Sequence, residues 1–130
     1  EHVLVPTDFS ENARQAFEFL PMLRGATQEI DLLHVRNRDT ESADARSRLE
    51  DLAREVEAET GIEPGINVRE GDPDEEIAAE ERRVGATTTL LGTRGQSRLR
   101  RLLLGSVSES VVARGNNNVL LIPPASARRR

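Results

Sequence analysis

Short apolar runs alternate with segments whose apolar residues recur every three or four positions, and this alternation restricts the fold more than any other feature of the chain. Val3-Leu4-Val5-Pro6 is a run of strand type closed by a proline. Ala13, Ala16, Phe17, Leu20 and Leu23 then fall on one face of a helix, with Ser10 at its N-cap position and Gly25 just past its end. Ile30-Asp31-Leu32-Leu33-His34-Val35 is the second strand. The spacing of Ala45, Leu49, Leu52, Ala53 and Val56 predicts a charged helix from about Ser42 to Thr60, stopped by Gly61. Ile66 to Glu70 is a third strand, and Asp72-Pro73-Asp74-Glu75 has the layout of a capping box opening the next helix. Thr88-Thr89-Leu90-Leu91 is the fourth strand, ended by Gly92. A second capping box, Ser106-Val107-Ser108-Glu109, opens a helix to about Arg114; Asn116-Asn117-Asn118 then turns the chain into Val119-Leu120-Leu121-Ile122, stopped by Pro123-Pro124.

Strands alternating with helices imply a parallel sheet covered by helices on both faces, with right-handed crossovers. The first, fourth and fifth strands are unbroken apolar runs, as interior parallel strands are. No repeat or linker interrupts the pattern, so residues 1–124 read as one α/β domain and residues 125–130 as a basic, solvated tail.

Composition narrows the function classes. At 36% hydrophobic and 32% charged residues the chain reads as globular, and no stretch approaches the ~20 apolar residues of a membrane span. The start lacks the layout of a signal peptide. It also lacks an initiator Met, which is compatible with a piece of a longer protein, such as a transporter with a cytoplasmic domain. Zero cysteines exclude thiolate metal sites and fit a reducing, cytoplasmic compartment. A net charge of −5 argues against sequence-independent binding to nucleic acid or insertion into anionic membrane. All 18 basic residues are Arg, which removes a phosphate lysine, a Schiff base and a lysine general base. With Phe9, Phe17 and Phe19 the only aromatics, a base-stacking platform is excluded too.

The informative loop runs from Gly92 to Ser106, leaving a strand and entering a helix at a capping serine. Gly92, Gly95 and Gly105 let backbone N–H groups approach a ligand, and a helix starting near Ser106 offers free donors and a positive dipole end for phosphate. Ser97 and Ser106 can add hydrogen bonds, and Arg94 or Arg98 can supply positive charge. The plainer reading, a strand end and a helix cap, accounts for any one of these residues taken singly. Neither G-x-G-x-x-G nor a P-loop is present.

Gly92-x-x-Gly95, nine residues, then Gly105-Ser106 resembles the G-2x-G-9x-G-[S/T] motif in the ATP-binding branch of the universal stress protein family. Val3 to Ser10 resembles that family's first strand and loop, Gly71-Asp72-Pro73 its third strand–helix junction, and Leu102 to Val107 its approach to the last helix. The resemblance implies a Rossmann-like, five-stranded parallel sheet of the adenine nucleotide alpha hydrolase-like kind, in strand order 3-2-1-4-5. It implies that Pro6, Thr7, Asp8 and Val35 lie against adenine and ribose. Ribose and phosphates then fall to Gly92, Arg94, Gly95, Gln96, Ser97 and Arg98, and to Gly105, Ser106, Val107 and Ser108. ATP, ADP or AMP is the implied ligand, with Mg²⁺ carried by the phosphates and a homodimer formed through Val119, Leu120, Leu121 and Ile122. Arg94 stands where the family often has His, Arg98 where a small residue is common, and Thr87 where Asp is frequent. Asn116 to Asn118 replace a turn that contains proline.

The resemblance implies a nucleotide-binding regulatory protein of stress response. A slow ATP hydrolase is the alternative, but no base is positioned for an attacking water. A nucleotide-free dimerisation module is another, against which the intact glycine motif speaks. RNA binding through a Gly-x-x-Gly loop conflicts with the preceding strand and with the acidic charge. Asp8 is read as a ribose or metal-water contact against the plainer loop cap. His34 is read as a satisfied interior histidine, the carboxylates of Glu50 to Glu59 as a solvated helix face, and His2 as carrying little weight.

Overall fold

A computed structural model describes residues 2–9, 11–23, 25–36, 44–92 and 118–122. Its elements are β1 (His2–Pro6), α1 (Glu11–Phe17), a 3₁₀ turn (Leu20–Leu23), β2 (Glu29–Arg36), α2 (Asp44–Thr60), β3 (Gly65–Glu70), α3 (Pro73–Val84), β4 (Thr88–Gly92) and β5 (Asn118–Ile122). The strands form one parallel sheet in the order β3-β2-β1-β4-β5. This is the expected α/β architecture. The helix expected from Ser106 and the basic tail lie outside the described residues.

The first helix is shorter than its apolar spacing suggests, ending at Phe17 rather than running to Leu23. Pro21 is the reason. It has no N–H for the Phe17 carbonyl, and its ring would crowd that carbonyl in a continuous helix. The chain instead tightens, with Glu18, Phe19 and Met22 donating to carbonyls three residues back at 3.1, 3.2 and 3.1 Å. Leu20 stays buried while Met22 is 75% exposed. The second helix matches its stripe: Ala45, Leu49, Leu52 and Val56 are buried, and Gly61 at φ 78° closes it by donating to Glu57. Its carboxylates between Glu50 and Glu59 are exposed, as expected. In the third helix Pro73 takes the first position, but the expected side-chain cap is not made: Asp72 is extended, and its carbonyl, not its carboxylate, accepts Glu76 N–H. Pro73 at the first helical position lacks only an N–H that would have no partner within the helix anyway.

The two faces of the sheet are built from different chemistry. On one, Val3, Val5, Ile30, Leu32 and Leu90 pack against Ala16 of α1, Leu20 of the 3₁₀ turn, and Leu49, Leu52 and Val56 of α2. On the other, a smaller apolar group of Leu4, Leu33, Ile77 and Leu91 is flanked by ionic contacts under α3. The Glu80 carboxylate, 0% exposed, accepts from Asn67 at 3.0 Å, Arg69 at 2.8 Å, and Arg83 at 3.1 and 2.7 Å. Arg69 also donates to Glu76 at 2.7 Å, and Thr89 donates to Glu81 at 2.6 Å. His2 is part of this face: its Nε2 lies 2.5 Å from Asp31 Oδ2 and its Nδ1 3.2 Å from Glu29. Gly65 leaves room for Asp31, whose Oδ1 would collide with a Cβ there. Each buried carboxylate thus has the partners that make burial tolerable.

Burial alone would raise the Glu80 carboxyl, but hydrogen bonds from Arg83, Asn67 and Arg69 outweigh it and hold the group below its ordinary value. A carboxyl held below its unfolded-state value stabilises the fold above the ordinary glutamate range, and that contribution is lost as pH falls through the lower folded value. Glu80→Gln is therefore expected to cost ~2 kcal/mol near neutral pH. It should also flatten the loss of stability below about pH 4. Urea unfolding across pH checks this; an acid limb as steep as in the parent chain contradicts it.

Candidate functional site

Parallel pairing brings the carboxyl ends of all the strands to one edge, and strand order reverses between β1 and β4, the position at which open α/β sheets bind ligands. A specific residue opens the sheet there. β1 pairs with β4 at Val3↔Thr88 and Leu4↔Thr89, and His2 O accepts Thr87 N–H at 2.9 Å. On the opposite side Thr7 N–H donates to Leu33 O of β2 at 2.8 Å. Backbone groups alternate between the two neighbours of a parallel strand. Odd-numbered residues of β1 therefore address β2 and even-numbered ones address β4. Position 6 is where β1 would next donate to β4, and Pro6 has no N–H. The seam between β1 and β4 stops there.

Beyond the seam the chain makes a tight turn through Thr7, Asp8 and Phe9. Thr7 is 6% exposed and its Oγ1 accepts Phe9 N–H at 3.0 Å. The Thr7 carbonyl accepts from His34 Nδ1 at 2.9 Å, so that ring nitrogen carries the hydrogen. His34 is thus the satisfied histidine its sequence position suggested, and it lies at the ligand edge. Phe9 is the only non-glycine described with positive φ, at 64°. A side chain in that region costs ~1–2 kcal/mol. Two contacts of the ring offset this: His34, 4.6 Å between centroids at 34°, and the Arg48 guanidinium, 4.2 Å from the ring centre. Such contacts contribute about 0.5–1.5 and 0.5–1 kcal/mol respectively. Asp8, half-buried, is held between these two fixed residues.

Of the other expected site residues, Val35 lies on the same sheet face as Leu33, packed against Leu4, Leu33, Ile77 and Leu91. Leu33 pairs with Pro6, so Val35 extends two residues beyond the end of β1. Gly92 ends β4 opposite Ile122. Pro6, Thr7, Asp8, Val35 and Gly92 are therefore brought to one edge. Arg94, Gly95, Gln96, Ser97, Arg98, Gly105, Ser106, Val107 and Ser108 lie outside the described residues.

A cavity of about 220 Å³ opens beside the turn, lined by Thr7, Phe9, Arg14, Phe17, Arg48 and Leu52 among others. It is below the ~300 Å³ at which ligand pockets usually begin, and it lies on the α1–α2 side. Among the described residues no three His, Asp or Glu side chains come together to hold a metal ion, and no helix is long and apolar enough to cross a membrane. The sequence reading passed over Phe9 and Arg48. Arg48 carried a readable signal: it stands three residues after Ala45 and four before Leu52, on the flank of the buried stripe. The backbone conformation of Phe9 has no such signature.

The family model described as the universal stress protein family matches residues 1–123. The universal stress protein MJ0577 of Methanocaldococcus jannaschii is 27% identical, with 92% of this chain and 93% of that protein covered. A solved structure of MJ0577 superposes with a TM-score of 0.85 at 28% identity, covering 95% of each chain. Two further solved structures share the fold. One is a universal stress protein in complex with cAMP, with a TM-score of 0.76 at 21% identity over 94% of this chain and 95% of that one. The other is a family member from Arabidopsis thaliana with AMP bound, with a TM-score of 0.66 at 23% identity over 94% and 90%.

The Thr7 hydroxyl organises the turn through its bond from Phe9 N–H. Thr7→Val keeps the shape and removes the acceptor, and is expected to cost ~1 kcal/mol in urea unfolding. An unchanged midpoint would show that the bond contributes nothing.

Proposed function

The chain belongs to the universal stress protein family, and on that premise we propose that it binds an adenine nucleotide, ATP foremost, where β1 and β4 part. The observation that carries this reading is the open seam at Pro6, followed by a turn that holds Thr7 and Asp8 at the carboxyl edge. Pro6, Thr7, Asp8 and Val35 face adenine and ribose; Gly92 to Arg98 and Gly105 to Ser108 take ribose and phosphates through backbone N–H groups. Arg94 and Arg98 supply the positive charge in a chain without lysine. The family members described with cAMP and with AMP support this ligand class.

A divalent ion such as Mg²⁺ enters on the phosphates, whose oxygens are the hard ligands it takes. Turnover is at most slow: Asp8 is the one carboxylate of the Thr7–Phe9 turn, and its proposed place is beside the ribose rather than behind a water in line with the γ-phosphate. The protein acts in the cytoplasm as a regulatory dimer whose bound nucleotide biases its choice of partner in stress response. The dimer forms through β5, which ends the sheet and carries Leu120 at 40% exposure.

Calorimetric titration with ATP and Mg²⁺ should give saturable binding with Kd below about 1 mM, weakened about tenfold by Asp8→Ala. No heat of binding at millimolar ATP would reject the reading. For assembly, Leu120→Lys should convert a dimer to a monomer by light scattering, and an unchanged mass would discard the β5 interface.

A further inference from the structure

Resting on the nucleotide reading above, we infer that Phe9 is a positioning residue for the ligand turn, held there by Arg48 of α2 and His34 of β2. A left-handed backbone at a residue with a bulky side chain persists only where its surroundings over-determine it, and such sites concentrate where a ligand is bound. At φ 64° Phe9 is such a residue, directly after Asp8 and directly beyond the seam. Three separate parts of the fold converge on it: the Thr7 hydroxyl takes its N–H, the His34 ring stacks against it, and the Arg48 guanidinium sits over it. His34 also donates to Thr7 O, so one imidazole ties both ends of the turn. The arrangement makes the Asp8 backbone a fixed span between two anchored residues. The ring holds the turn in its binding conformation before nucleotide arrives, and α2 thereby becomes part of the nucleotide site through Arg48.

A turn that must first find its bound shape binds more weakly by the fraction of time it spends there. Phe9→Leu keeps the strain and loses both ring contacts; Arg48→Met removes the cation from the exposed side of the same contact. ATP affinity and amide exchange at residue 9 are measured for the parent chain, both single variants and the double variant. Each single variant is expected to weaken ATP about five- to tenfold and to speed exchange at residue 9 about tenfold, with exchange in β1 and β2 unchanged. The double variant should be no weaker than the weaker single, because both break one contact. If the parent chain binds ATP and both variants bind it within twofold of the parent, or if their losses simply multiply in the double variant, Phe9 has no positioning role. If the parent chain binds no ATP, the nucleotide reading has failed and this inference falls with it.

Discussion

A parallel sheet with one central reversal governs the rest of this molecule. Because every strand points the same way, each connection must cross the sheet, and all the carboxyl ends arrive at one edge. The order β3-β2-β1-β4-β5 makes β1 the strand from which the chain builds outward, first to one side and then to the other. The missing donor of Pro6 turns that topological fact into a physical opening. Without a hydrogen bond to draw β4 in, β1 can leave the sheet and place Thr7 and Asp8 over its rim.

The helices stabilise this frame in two ways. The α1–α2 face excludes water by apolar packing, with Leu20, Leu49, Leu52 and Val56 over Val3, Val5 and Leu32. The α3 face buries carboxylates and satisfies each of them from a strand or from its own helix. Pairing of this kind adds little net energy over an apolar core, but it fails badly if one partner is lost. The site edge draws on both faces, with Phe9 on one and Val35 on the other.

Much of the frame was legible in the residues. Unbroken apolar runs gave β1, β4 and β5 as strands, interior for β1 and β4 but not for β5, which lies at the sheet edge with Leu120 exposed; a regular stripe gave α2, and the placement of Pro6, Thr7, Asp8, Val35 and Gly92 at one edge followed from the order of elements. What could not be read has physical reasons. The end of α1 depends on a backbone donor that Pro21 lacks, whereas an apolar stripe reports only which side faces the core. The Glu80 network joins residues on β3 and α3 that only strand register brings together, and one glutamate among the four of α3 looks like solvated surface. Likewise His2 found Asp31 only once β1 and β2 were aligned. The left-handed Phe9 is the hardest case, since nothing local marks it and its supports come from distant parts of the chain.

The ionic seat of α3 has a mechanical consequence. Oily surfaces tolerate sliding, because one methyl group substitutes for another, but a guanidinium engaged with two carboxylates permits no partial step. Arg69, bonded to both Glu76 and Glu80, therefore rivets α3 to β3, and the two travel as one piece. α1 and α2 are seated instead by interdigitated apolar side chains, and the Arg48 guanidinium over Phe9 ties that face to the rim. The two flanks of the sheet are thus fastened by different means, ion pairs under α3 and close apolar packing under α1 and α2.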